Sequence, residues 1–173
     1  AAMLEEMADL LEIEGANPFR VRAYRNAAHA IGVLGENVAD LVARGEDLKA
    51  IPGVGSAIAD KVAQIVTTGT MTQLEELHDR LPAGLHEMLG IATLGPKRVK
   101  ALYEGLGVAN LDELEQAALQ GKVRELDGFG ERTEAKILEE IERARTASQR
   151  VLLVEAEALV RPIIARLREI EGV

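Results

Sequence analysis

One pattern recurs three times in this 173-residue sequence and leaves the chain little freedom in what it can become. It first runs Leu48-Lys-Ala-Ile-Pro-Gly-Val-Gly-Ser-Ala-Ile-Ala59, with the glycine pair Gly53 and Gly55. It returns as Met88-Leu-Gly-Ile-Ala-Thr-Leu-Gly-Pro-Lys-Arg-Val99, which keeps Gly95 and has Thr93 in place of the first glycine. It returns again as Val123-Arg-Glu-Leu-Asp-Gly-Phe-Gly-Glu-Arg-Thr-Glu-Ala135, with Gly128 and Gly130. The second glycines lie 40 and 35 residues apart. Self-similarity at that spacing means repeated supersecondary units. Around the repeats the apolar residues follow helical period, and no segment alternates long enough to demand a strand. The expected fold is all-α.

Helix signals set the expected element bounds. Met3, Met7, Leu10 and Leu11 make one apolar face that Gly15 ends. Asn17-Pro18 caps and opens a second helix running to about Leu34, and Asn37 to Arg44 forms a short one closed by Gly45. Thr67-Thr-Gly-Thr70 ends the helix after the first repeat, a helix spans Met71 to Arg80, and Leu81-Pro82 breaks the chain there. Two small helical subdomains follow, residues 1–80 and 81–150, with a C-terminal helix in 151–173 interrupted by Pro162. Aromatics are 2% of the chain, so the core must come from Leu, Ile, Val, Ala and Met. The end at Glu171-Gly-Val reads as a truncation before another domain.

An apolar–x–x–apolar–x–Gly–apolar–Gly turn entering a helix is the helix-hairpin-helix signature. Glycine permits backbone angles that other residues resist and clears side chains from the approach. The free N–H groups of the turn and helix start, aided by the helix dipole, then form an anion site suited to backbone phosphate. Such contacts fix position and carry little sequence information. Turn carbonyls of Lys49, Ile51 and Val54, and of Leu89, Ile91 and Leu94, can hold a monovalent cation that bridges to the phosphate. The second repeat has β-branched Thr93 where glycine would allow a positive φ, so strain is expected there. Lys97, Arg98 and Lys100 follow at once and supply charge. The third, with Asp127, Glu131 and Glu134 beside Arg132, is the member read as packing only. Gly-x-Gly turns also merely join packed helices, so a protein-interaction scaffold is the competing reading.

The net charge of −9 argues against a general nucleic-acid coat. Its distribution is uneven: Glu5, Glu6, Asp9, Glu12 and Glu14 come first, then Arg20, Arg22 and Arg25 with no acid between. Arg22, Arg25 and His29 can share a helix face as a phosphate-binding stripe. The three histidines, His29, His78 and His86, are too scattered in sequence to suggest a metal site. The absence of cysteine fits a reducing, cytoplasmic setting, no apolar run reaches membrane-spanning length, and no ATP-binding loop is present.

Met7-Ala-Asp-Leu-Leu-Glu-Ile-Glu-Gly-Ala-Asn-Pro-Phe-Arg-Val-Arg-Ala-Tyr-Arg25, Ile51-Pro-Gly-Val-Gly-Ser-Ala-Ile-Ala-Asp-Lys61 and Leu94-Gly-Pro-Lys-Arg98, in that order, resemble the N-terminal part of bacterial family X DNA polymerases. The resemblance implies an eight-kilodalton-type domain near residues 1–80, a helical DNA-gripping subdomain near 81–150, and a last helix leading into a palm. It implies gapped DNA with a 5′-phosphate as partner, a monomer, and repair as the setting. The palm carboxylates of two-metal nucleotidyl transfer have no counterpart here, so divalent metal is expected only in palm or nuclease domains beyond this sequence. The resemblance also places a Schiff-base lysine of deoxyribose-phosphate lyase chemistry at Lys61, with Tyr24 in the matching Ala-Tyr-Arg segment among the DNA-binding residues and Arg20 and Lys49 at the positions of basic phosphate contacts; core packing is the competing reading of Tyr24. Ala57, one helical turn earlier, departs from the pattern. A second lysine there would help Lys61 lose its proton, and alanine cannot.

Overall fold

The computed structural model describes residues 1–146, and all regular structure there is helical. The expected helix 151–171 and its Pro162 break lie outside the described residues. Helix α1 spans Ala2–Glu14, α2 Pro18–Gly32 and α3 Val38–Ala43. After a 3-10 turn at Leu48–Ala50 come α4, Ser56–Thr68, and α5, Thr72–Arg80. Then follow α6, Ala83–Leu89, α7, Pro96–Leu106, and α8, Leu111–Leu119. A second 3-10 turn, Val123–Glu125, leads into α9 at 131–146.

The bounds follow from local chemistry. The Asn17 side chain accepts the Phe19 N–H, and Pro18, which has no N–H to satisfy, opens α2. Asn37 and Asn110 cap α3 and α8 in the same way. Helix α2 stops at Gly32, two residues before the expected end, and the chain then turns through Val33 and Leu34.

Helix α1 organises the packing. Leu4, Met7, Ala8, Leu10, Leu11 and Ile13 are all buried, more than one stripe's worth, because α1 packs against three helices, α2, α5 and α7. One continuous apolar core therefore runs through both expected subdomains. It includes Met71 and Leu77 from α5, Leu85 and Met88 from α6, Val99 and Leu102 from α7, and Ile137 and Ile141 from α9.

The acids of α1 meet cations from several elements. Arg25 of α2 reaches Asp9 at 3.0 Å and Glu12 at 2.5 Å, and Arg80 of α5 reaches Glu14 at 2.9 Å. Glu6 Oε1 sits 2.9 Å from His78 Nε2 and 3.5 Å from His86 Nδ1. At the C-terminal end of α1 the Lys100 ammonium of α7 comes so close to Gly15 that a β-carbon there would lie 2.6 Å from Nζ. A cation at a helix C-terminus complements the dipole.

Candidate nucleic-acid interface

Three turns have the same hydrogen-bonded frame. The N–H of Val54 donates to Ile51 O at 3.0 Å, that of Leu94 to Ile91 O at 2.8 Å, and that of Phe129 to Leu126 O at 3.0 Å. In each, an apolar residue on either side of the turn is tucked into the core: Ile51 and Val54, Ile91 and Leu94, and Phe129 with half-buried Leu126. The glycines between them stay outside. This is why the pattern alternates apolar residue and glycine.

The two glycines of each pair serve different ends. Gly53 and Gly128 take φ of +88 and +78 as the third residue of their turns, the left-handed region in which glycine avoids a side-chain clash. Gly55 and Gly95 have ordinary extended angles, φ −79 and −94, and a β-carbon at Gly55, Gly95 or Gly130 would meet nothing within 4 Å. Nothing among the described residues calls for glycine at those three positions. Each instead keeps open the space in front of a helix start. No side chain caps α4 or α7, and the N–H groups of Gly55, Ser56 and Ala57, like those of Gly95 and Lys97, have no acceptor among the described residues. The carbonyls of Lys49, Val54, Leu89 and Leu94 are likewise without a donor there, while those of Ile51 and Ile91 each keep a lone pair beyond the turn bond. Neutral carbonyl oxygens without a donor are the ligand type a monovalent cation takes.

Thr93 departs from the expected strain. No residue other than glycine has a positive φ among the described residues, so the threonine turn adopts a different form instead of forcing the glycine one. Its N–H donates to Glu140 Oε2 at 2.8 Å, and its carbonyl accepts from Arg98 Nη1 at 2.8 Å.

Helix α2 lies beside the first hairpin. A β-carbon at Gly53 would meet Asn26 at 3.7 Å, so the first turn lies against the middle of α2. Phe19, Arg22, Asn26 and His29 recur at helical spacing along one exposed face that passes this turn. The start of α2 follows Gly15, where Lys100 brings in α7. Arg20, Arg22, Lys49, Lys97 and Arg132 are exposed, and Lys61 is half-buried. Phe19, 78% exposed beside Arg20 and Arg22, is the member sequence reasoning missed. An apolar residue at the second position of a helix that makes no core contact was the available signal.

Other predicted site residues are placed differently. Arg25 does not join Arg22 in a free stripe, because the carboxylates of Asp9 and Glu12 hold it on α1. Lys100 is turned to Gly15 and pairs with Glu104 at 3.8 Å, and Arg98 lies between turns, 5.8 Å over the Phe129 ring. Tyr24 is buried and donates its hydroxyl to Gln73 Oε1 at 2.9 Å. Burial pushes that hydroxyl above its usual range, with Arg20 opposing. Ala57 is exposed and offers Lys61 no cationic neighbour. In the third hairpin, Glu134 is 1% exposed and takes both the Arg124 N–H and its guanidinium, at 3.0 and 2.7 Å, while Glu131 takes the guanidinium's other edge at 2.9 Å. His78 and His86, distant in sequence, converge on Glu6, yet no group of three His, Cys, Asp or Glu is arranged to hold a metal ion among the described residues. No described helix is long and apolar enough to cross a membrane.

Comparison with known proteins agrees with this geometry. A helix-hairpin-helix domain model matches residues 1–71, and a SAM-like helix-hairpin-helix tandem model matches residues 85–143. The chain is 31% identical over 167 residues, 96% of its length, to the DNA polymerase/3'-5' exonuclease PolX of Bacillus subtilis (strain 168). It spans 29% of the length of that relative. Hairpin units at both ends of the described structure, and a relationship that runs along nearly the whole sequence, identify this chain as the DNA-binding, helix-hairpin-helix N-terminal part of a PolX-like protein of DNA polymerase family X.

Proposed function

We propose that this chain grips the sugar-phosphate backbone of gapped duplex DNA as a monomer, with the 5′-phosphate side of the gap on the first unit. The carrying observation is the open space before Gly55, Gly95 and Gly130, which none of the described residues fills. Unbonded N–H groups at the starts of α4 and α7, with Lys97 beside one of them, supply the phosphate sites. A monovalent cation on the carbonyls of Lys49, Ile51 and Val54, and of Leu89, Ile91 and Leu94, would add a bridge to phosphate. The α2 face of Phe19, Arg22, Asn26 and His29 carries the strand past the first turn. Phe19 offers an apolar surface to a sugar or an unpaired base where a gap exposes one. A gap-filling repair polymerase is the activity proposed for the longer protein.

A titration on one-nucleotide-gapped DNA, with and without a 5′-phosphate, tests this. Affinity should fall with salt and drop when the phosphate is removed. Equal affinity for intact duplex and phosphorylated gap refutes the gap reading, and no binding at all favours the scaffold. A deoxyribose-phosphate substrate treated with borohydride, captured by wild type and not by Lys61→Ala, would add lyase chemistry to the binding role.

A further inference from the structure

The second hairpin lacks the glycine that the other two place third in the turn, and what replaces it is a contact from another helix. A turn whose third residue passes from positive to negative φ turns its central peptide over. The Thr93 N–H therefore leaves the direction taken by Gly53 and Gly128, and the Glu140 carboxylate of α9 receives it at 2.8 Å. Arg98 holds the following carbonyl at 2.8 Å and lies over Phe129 in the third turn. The tie is made by the backbone N–H, since Oγ1 is buried with no partner at hydrogen-bond geometry among the described residues. Glu140 is 11% exposed, with the Lys136 ammonium 3.9 Å away. Burial pushes its carboxyl up, but hydrogen bonding from Thr93 and the charges of Lys136 and Arg143 bring it below the ordinary glutamate range. It is a charged acceptor at neutral pH.

We propose that Glu140 is a positioning residue for phosphate binding at the second hairpin: by fixing the turned-over Ala92–Thr93 peptide, it holds Gly95 and the start of α7 in the shape that glycine alone provides in the first and third turns. The proposal rests on the backbone-binding reading above. It makes α9, which belongs to the third hairpin, a working part of the second. It also removes the Thr93 amide from the phosphate site, leaving the Gly95 and Lys97 amides and the Lys97 ammonium.

The test compares wild type, Glu140→Ala, Glu140→Gln, Thr93→Gly and the double variant Thr93→Gly/Glu140→Ala on gapped, 5′-phosphorylated DNA, with thermal melting as a check on folding. Glu140→Ala should weaken binding about tenfold, the scale of one charge-assisted hydrogen bond. Glu140→Gln should keep most of the affinity, because its amide oxygen still accepts. The double variant should recover it, because glycine needs no brace. A nitrogen-15 correlation spectrum without DNA should show the Thr93 amide moving upfield in Glu140→Ala. Wild-type binding with Glu140→Ala unchanged or tighter, or with no recovery in the double variant, overturns the proposal alone. Absence of binding by wild type overturns the backbone-binding reading and this proposal with it.

Discussion

The Lys100 ammonium stands 2.6 Å from the place a β-carbon at position 15 would take, so a lysine of the second unit lies at the C-terminus of the first helix. Gly15 also has φ +82. Gly15→Ala should displace Lys100 and strain the cap together, costing about 1–3 kcal/mol. Chemical denaturation measures this, and an unchanged midpoint would mean that the lysine swings aside freely.

The paired glycines separate folding from binding. Gly53→Ala should destabilise by about 1 kcal/mol, because its φ of +88 disfavours a side chain. Gly55→Ala should leave stability within about 0.5 kcal/mol, since its β-carbon meets nothing, yet weaken DNA binding. Melting curves and DNA titrations on the two variants give opposite patterns if Gly55 keeps space for a partner. Intact binding by Gly55→Ala would show that the space is merely vacant.

Charge reversal should sort the bases. Lys97→Glu should lower DNA affinity with little change in melting temperature, because Lys97 is exposed and has no ion pair among the described residues. Arg25→Glu should instead lower the melting temperature, since it sets a third acid against Asp9 and Glu12. Salt-dependent binding assays alongside calorimetry distinguish them. A large affinity loss in Arg25→Glu at unchanged stability would place Arg25 on the DNA after all.

Glu134 gives the third hairpin an acid-sensitive tie. Burial pushes its carboxyl up, but the Arg124 guanidinium and backbone N–H outweigh this and hold it below the ordinary glutamate range. A depressed folded value means the stabilisation is fully present above the ordinary glutamate range. It is lost as pH falls through the depressed value, in the acid region below that range. Glu134→Gln should flatten this part of the stability profile, and Glu134→Ala should destabilise the fold at neutral pH by removing the acceptor of the Arg124 N–H and guanidinium. A variant that keeps the wild-type acid slope would assign it to other carboxylates.

The hairpins were legible because their chemistry is local. A glycine at the third place of a turn, apolar neighbours on either side and a helix directly after are all written within a dozen residues. The ends of α1, α3 and α4 could be read from Gly15, Asn37 and Gly69 for the same reason. The partners of the charges were not legible. Arg25 looks like a neighbour of Arg22 in sequence, but helix packing brings it to Asp9 and Glu12. His78 and His86 meet on Glu6 only because α1 lies across α5 and α6. Thr93 in a glycine's place predicts a strained turn. Its relief comes from Glu140, 47 residues on, which no local pattern announces.

Glu6, Asp9, Glu12 and Glu14 of α1 are answered at home, by the two histidines, Arg25 and Arg80, and the Lys100 ammonium lies at the helix's C-terminal end. His86 on Glu6 and Lys100 at Gly15 reach from the second unit to the first, so dissolved ions compete in two places at once: around the phosphates of a bound duplex and at these contacts between the hairpin units. The steepness with which affinity falls as salt rises will count more than displaced counterions. Part of it will measure how far the two grips loosen from each other.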